Sequence, residues 1–146
     1  MPITIKEATD GSDFAICMAI RMEVFVREQG VSLDEEMDTH DQAATHYIAR
    51  EDGAPIGTAR TRVEEGSGRI ERVAVRAAHR GSGAGAALMT HCIARLKNHP
   101  QVTRIVISAQ TQARAFYEKL GFVAEGEEYQ DAGIAHYRMV LGLGCH

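Results

Sequence analysis

The chain has 146 residues, 45% apolar and 25% charged, with 14 Gly and 3 Pro, which suits one globular domain over residues 1–146 and excludes collagen-like, mucin-like and wholly disordered chains. Sixteen Lys and Arg against 20 Asp and Glu give a net charge of −4, so neither nucleic acid nor an anionic membrane surface is an expected partner. No window approaches the roughly 18 apolar residues of a membrane span, and the first residues lack a basic start followed by an apolar core, so neither insertion nor export is expected.

Ile3–Ala8 alternates as a strand. Ser12 can cap a helix whose apolar stripe runs through Phe14, Cys17/Met18, Met22 and Phe25/Val26 and ends near Gly30. Residues 31–44 are acidic and aperiodic. His46–Arg50 and Ile56–Val63 flank the turn signal Asp52-Gly53 and read as a hairpin; Ser67–Val75 continues it as a third strand. Gly83–Asn98 carries Leu88, Met89, Cys92, Ile93 and Leu96 at helical spacing, with Pro100 as a stop. Val102–Ser108 is the apolar, β-branched run of a buried strand. In Thr111–Leu120, Ala113, Phe116, Tyr117 and Leu120 share one helix face, with Gly121 at the left-handed cap. Strands at about Phe122–Glu125 and Ala135–Leu141 complete the chain. The order predicts a mixed α/β fold around a single sheet with a parallel strand-helix-strand centre.

Charge is unevenly distributed. From Arg72 to Tyr117 there is no Asp or Glu but seven basic residues (Arg72, Arg76, Arg80, Arg95, Lys97, Arg104 and Arg114), leaving nine of the 16 basic residues to face all 20 acids elsewhere. That third of the chain suits an anion. Glu23, Glu28, Asp34, Glu35, Glu36, Asp38 and Asp41 are accompanied only by Arg27, a balance that favours a cation. Cys17, Cys92 and Cys145 are odd in number and widely spaced, which suggests neither a disulfide framework nor a cysteine zinc site and fits a reducing cytoplasm. Seven histidines contain no His-Glu-x-x-His and no close pair, so no metal is expected.

The sharpest motif is Val73-Ala74-Val75, a short turn, then Arg80-Gly81-Ser82-Gly83-Ala84-Gly85 running into a helix. Alternate glycines remove Cβ atoms, so backbone N–H groups can close on phosphate oxygens at the positive end of that helix. The bland alternative is a flexible turn. A P-loop is excluded because no Lys lies between Lys6 and Lys97. A dinucleotide fold is disfavoured because the acid expected about 20 residues further on is missing, none occurring before Glu118.

Arg80-x-x-Gly83-x-Gly85 after a strand resembles the pyrophosphate loop of the GNAT N-acetyltransferases, and Ala115-Phe116-Tyr117-Glu118-Lys119-Leu120-Gly121-Phe122 is similar to their second signature. The element order resembles the family's along essentially the whole chain. Val26-Arg27-Glu28-Gln29-Gly30-Val31, Ser108-Ala109-Gln110 and Ala132-Gly133-Ile134-Ala135-His136 resemble the ElaA/YjcF-like branch.

The resemblance implies a sheet whose two central parallel strands, one ending at Val75 and the other at Ser108, splay apart, with acetyl-CoA in the V-shaped opening between them. Pantetheine would extend the strand at Val73, Ala74 and Val75, and the diphosphate would sit on Gly81, Ser82, Gly83, Ala84 and Gly85 with Arg80 beside it. Arg76 or Arg114 would reach the adenosine-side phosphate, and Phe116 and Lys119 join the cofactor side. Acetyl transfer to an amine needs an oxyanion donor, read at Val73 N–H, and an acid for the departing thiolate, read at Tyr117; otherwise Tyr117 is a core aromatic. Glu71 is the best-placed base, and as a plain strand residue it would pair with Arg69 or Arg72. Glu28, Glu35, Asp38 and Asp41 would draw in the ammonium group, unless they form only a solvated face. His46 and His136 are further candidates to touch the acceptor, as base or as hydrogen-bond acceptor, unless they are structural. Cys17 and Cys92 fit apolar stripes, which argues against an acyl-cysteine route. The reaction expected is direct transfer to a small-molecule primary amine; the rival is a non-catalytic acyl-CoA-binding or sensing domain. A different acyl donor is a third option, and family habit admits a homodimer.

Overall fold

The computed structural model describes residues 2–143, so Cys145 lies outside the described residues. Seven strands, β1 (Ile3–Glu7), β2 (Thr45–Glu51), β3 (Ala54–Glu64), β4 (Ser67–Val75), β5 (Arg104–Gln110), β6 (Val123–Asp131) and β7 (Ile134–Gly142), form one sheet in the order β1-β2-β3-β4-β5-β7-β6. Only β4 and β5 run parallel, because the connection between them is a crossover through a helix, α3 (Ala84–Lys97). The remaining helices are α1 (Gly11–Arg21), α2 (Leu33–Glu36) and α4 (Arg114–Lys119). No helix among the described residues is long and apolar enough to cross a membrane.

Three local departures from the expected elements have physical causes. The cap of α1 is Asp10, not Ser12: the Asp10 carboxylate accepts from the Asp13 N–H at 2.8 Å, and Ser12 lies inside the first turn. After Arg21 the helix widens into π geometry over Met22–Glu28, which the apolar spacing alone does not distinguish from an α-helix. β6 runs to Asp131 rather than stopping at Glu125, because as an edge strand it is exposed at nearly every position and so carries no apolar alternation to read.

One face of the sheet packs under α3 and α4, where Ile56, Ile70, Leu88, Met89, Cys92, Ile105, Ile107 and Met139 are buried together. Each such side chain stabilises the fold by roughly 1.5–3 kcal/mol. On the other face Ile20, Val24 and Ala74 form a smaller cluster under α1. Side chains alternate between these faces along a strand, and directly paired residues share one. Ile107, Ala109, Tyr137 and Met139 therefore face α3 and α4. Ser108 with its partner Arg138, and Gln110 with its partner His136, face the other way.

β4 and β5 pair only through Ser67–Arg69 with Arg104–Val106. There Gly68 leaves room for Leu96, whose Cδ1 a Cβ would meet at 2.9 Å. Beyond that point the strands separate, as expected. β4 is also bulged: Arg60 pairs with Glu71 but Thr58 pairs with Ala74, so β4 carries one extra residue, and Arg72 adopts φ 54°. A left-handed non-glycine residue costs roughly 1–2 kcal/mol, and bulges of this kind commonly re-aim a strand beside a site.

Candidate active site

The split opens a cavity of about 420 Å³, walled by β4 from Ile70 to Val75, by Ile107, Ser108 and Gln110 of β5, and by Tyr117 of α4. The helical stretch from Val24 to Gln29 and residues Glu35 and Glu36 of α2 roof it, and His136 lines its far side. The β4 edge that faces β5 has no strand partner past Arg69, so its backbone groups are available to an extended ligand. One of them, the Val75 carbonyl, accepts from Arg80 Nε at 3.1 Å.

The loop after β4 has the form the glycines predict. Gly81 and Gly83 take φ 81° and 92°, conformations that only glycine adopts cheaply. No side chain caps α3 and no acid lies in its first turn. The first intrahelical bond is made by Ala87 N–H to the Gly83 carbonyl at 3.0 Å, which leaves the N–H groups of Ala84, Gly85 and Ala86 as the unpaired donors of a helix start. Phe116 packs nearby, its Cζ 3.7 Å from where a Gly85 Cβ would stand.

Tyr117 packs its ring against the core cluster, edge-on to Phe116 at 5.0 Å between centroids and to Phe122 at 6.2 Å. Burial pushes its phenol up to about 12, so it stays protonated at neutral pH. The structure thus gives it a core-aromatic setting and a place on the cavity wall together. Lys119 is exposed. Arg76 is committed to Glu23 at 3.3 Å and the Pro55 carbonyl at 3.2 Å, and Arg114 to Glu118 at 3.4 Å and the face of Tyr137 at 4.6 Å.

Glu71 reaches the cavity but is held by neither Arg69 nor Arg72. Arg60 Nε and Nη2 donate to its Oε1 at 3.1 and 3.0 Å, and Arg62 Nε and Nη2 donate to Oε1 and Oε2 at 2.8 and 3.2 Å. Burial alone would raise its carboxyl, but the Arg62 and Arg60 guanidiniums outweigh burial and hold it below the usual carboxylate range. Such a carboxylate is a weak base.

Those contacts belong to a network absent from the sequence reading. Arg60, 1% exposed, also binds Asp38 and Asp41, each at 2.7 Å. Arg21, equally buried, binds Glu36 at 2.6 Å and Asp41 at 2.7 Å, and Arg72 reaches Glu36 and Asp38, each at 3.2 Å. Asp38 and Asp41 are therefore not free to draw in an ammonium group: they bind arginines and tie α2 and the loop after it to the sheet. The one available signal was Arg60 itself, a charge at the centre of a strand long enough to be buried.

Glu28 forms a two-pronged pair with Arg80, Oε2 to Nη1 and Oε1 to Nη2. The structure thus joins one expected acceptor residue to one expected phosphate residue. His46 stands elsewhere, outside the cavity lining: its Nε2 lies 3.0 Å from the Asp41 carbonyl and its ring meets Phe14 edge-on at 4.9 Å. Gln29 and Gln110, also unforeseen, join roof to β5 through Gln110 Nε2 donating to Gln29 Oε1 at 2.8 Å. Cys17 and Cys92 are fully buried, and burial pushes the Cys92 thiol up to about 12, so neither is a nucleophile.

Comparison with known proteins agrees with this geometry. The family described as acetyltransferase (GNAT) domain matches residues 7–143. The uncharacterized N-acetyltransferase YjcF of Bacillus subtilis is 35% identical over 122 residues, 83% of this chain and 86% of that protein. Among solved structures, an acyl-CoA N-acyltransferase from Pseudomonas aeruginosa is 30% identical with a TM-score of 0.85, over 97% of this chain and 99% of that chain. Escherichia coli ElaA has the same fold, with a TM-score of 0.85 and 23% identity over 96% of this chain and 99% of its own.

Proposed function

The chain belongs to the GNAT acetyltransferases, in their ElaA/YjcF-like branch, and on that premise we propose that it transfers an acetyl group from acetyl-CoA to a primary amine of a small molecule by direct attack in a ternary complex. The observation that carries this reading is the split between β4 and β5, with an uncapped helix start at one end and a protonated phenol at the other. The diphosphate binds free N–H groups of Gly81–Gly85, that of Ser82 already donating to the His79 carbonyl at 3.3 Å, and pantetheine pairs as a further strand would with the open edge at Val73 and Val75, Ala74 between them being paired with Thr58 of β3. Arg80 turns from Glu28 to the phosphates, since an exposed ion pair contributes little and a diphosphate offers more charge. Glu28 is then free to face the acceptor's ammonium group. Cytoplasmic residence, with both described thiols reduced, completes the proposal.

The amine nitrogen attacks the thioester carbon, and the oxygen takes up negative charge beside the N–H of Val73, which follows the bulge at Arg72. Collapse breaks the C–S bond, and Tyr117 protonates the sulfur. The dry surroundings that raise the phenol also raise the proton affinity of the thiolate, so the transfer remains within reach. Glu71 serves as an anchor of the wall, since both its oxygens are held by arginines.

The test is CoA release from acetyl-CoA with a polyamine, an aminoglycoside, an amino acid and an arylamine, for the protein and for Tyr117→Phe. Turnover with at least one amine is expected, with kcat lowered by roughly 10²–10⁴ in the variant and acetyl-CoA affinity unchanged. Tight acetyl-CoA binding without turnover of any amine would replace this reading with an acyl-CoA-binding or sensing role.

A further inference from the structure

We propose that His136 is the base that takes the first proton from the acceptor's ammonium group, a role that rests on the transfer reaction proposed above. An aliphatic amine has a pKa near 10, so at neutral pH it arrives protonated and the site must hold an acceptor for that proton. The carboxylates of the cavity are poor choices. Glu71 is bound by Arg60 and Arg62, and Glu36 by Arg21 and Arg72, while Glu28, once Arg80 has turned to the phosphates, is an exposed carboxylate that can attract the ammonium group but takes its proton poorly. Glu35 accepts from Ser32 Oγ at 2.9 Å, and Asp131 is exposed to solvent at the end of β6.

His136 differs on each count. It lines the cavity and is 8% exposed. Its Nδ1 lies 2.6 Å from the Ile134 carbonyl; a carbonyl only accepts, so Nδ1 carries the hydrogen, and the neutral ring has its lone pair on Nε2. Nε2 has no hydrogen-bond partner among the described residues. The ring is steadied by Tyr129, stacked at 6.0 Å with 26° between planes, and Tyr129 is itself tied through its hydroxyl to Ser108 Oγ. A fixed tautomer, a held ring and an open lone pair are what a general base requires.

Its face of the sheet is also the right one. His136 pairs with Gln110 on β5 and with Tyr129 on β6, so it stands on the roofed side, where Gln29 clasps Gln110. Tyr117 packs with the cluster under α3 and α4, on the opposite side. The two groups thus flank the split from its two faces, base toward the entering nitrogen and acid toward the leaving sulfur.

The protons balance without another reactant. Nε2 takes one proton from the ammonium and passes it to solvent through the cavity mouth. The neutral nitrogen bonds to the acetyl carbon, the C–S bond breaks, and Tyr117 gives its proton to sulfur. The second nitrogen proton leaves as the amide forms and restores the phenol by way of water. One proton is released per turnover.

The experiment compares the protein with His136→Ala and His136→Asn, using the best amine of the panel above, with acetyl-CoA affinity from calorimetry as the check on folding. Both variants should lose roughly 10²–10⁴ in kcat while acetyl-CoA affinity changes less than about threefold. Added imidazole should restore the His136→Ala rate at least about tenfold, in proportion to basicity across a series of methylimidazoles, which a merely structural role would not do. Rates within about fivefold of the unsubstituted protein, or no rescue in a variant that still binds acetyl-CoA, would overturn the assignment; an unsubstituted protein that turns over no amine would instead overturn the transfer reaction itself.

Discussion

Arg60→Met removes the guanidinium at the centre of the buried charge network and keeps most of its volume. Arg60 is 1% exposed and contacts three carboxylates, Asp38 and Asp41 at 2.7 Å and Glu71 at 3.0 Å. Breaking a buried pair by deleting one partner costs about 3–5 kcal/mol, because the surviving charge remains desolvated, and here three charges are left with fewer partners. Arg21, Arg62 and Arg72 still serve Asp41, Glu71 and Asp38 respectively, which keeps the figure near about 4 kcal/mol rather than above the range. For a chain of this size that lowers Tm by roughly 8–16 °C. The loss has a defined pH dependence. Burial raises Asp38, Asp41 and Glu71, but their arginine partners outweigh it and hold all three below the ordinary carboxylate range. These groups therefore stabilise the fold at every pH above that range, and the benefit disappears only as pH falls through their lowered values. Without Arg60 burial prevails and the carboxyls move up, so the variant gains stability as pH drops toward them. Urea unfolding at pH 7 and pH 5 should show the gap between the two proteins narrowing at pH 5. A loss under about 1 kcal/mol at pH 7, or a gap that does not narrow, would refute the account of the network.

Gly68→Val should lower stability by roughly 1–3 kcal/mol through overpacking, since even a Cβ would stand 2.9 Å from Leu96 Cδ1; thermal unfolding that matches the unsubstituted protein would mean that α3 shifts freely. Gly83→Val, at φ 92° in open space, should weaken CoA binding in calorimetry by at least tenfold, the loss of about one charge-assisted hydrogen bond. Unchanged affinity would mean that the loop does not hold the diphosphate.

The hairpin, β4, α3 and β5 were legible because their apolar residues recur with a clear period and turn residues bound them. Edge strand β6 reads short in the sequence since its outer half, from Gly126 to Asp131, is polar and exposed. The π turns at Met22–Glu28 keep Met22 and Phe25 on a spacing that serves either helix. The glycine loop and Tyr117 stand out in the sequence because local motifs carry them. The arginine network was not, because its members lie far apart along the chain: Arg60 is 11 residues from Glu71 and 22 from Asp38, and sequence spacing says nothing about partners brought together by β3, β4 and α2. The bulge was hidden for another reason, since Arg72 adopts a left-handed conformation that sequence rules reserve for glycine. His46 and His136 looked equivalent in the sequence, and only the cavity separates them.

A crystal structure of the protein with CoA tests the central claim most directly. Diphosphate oxygens should lie 2.7–3.2 Å from N–H groups between Gly81 and Gly85, with Arg80 released from Glu28 and the CoA sulfur beside the Tyr117 hydroxyl. A cofactor seated outside the split, or a Tyr117 hydroxyl directed into the core beneath α3 and away from sulfur, would contradict it.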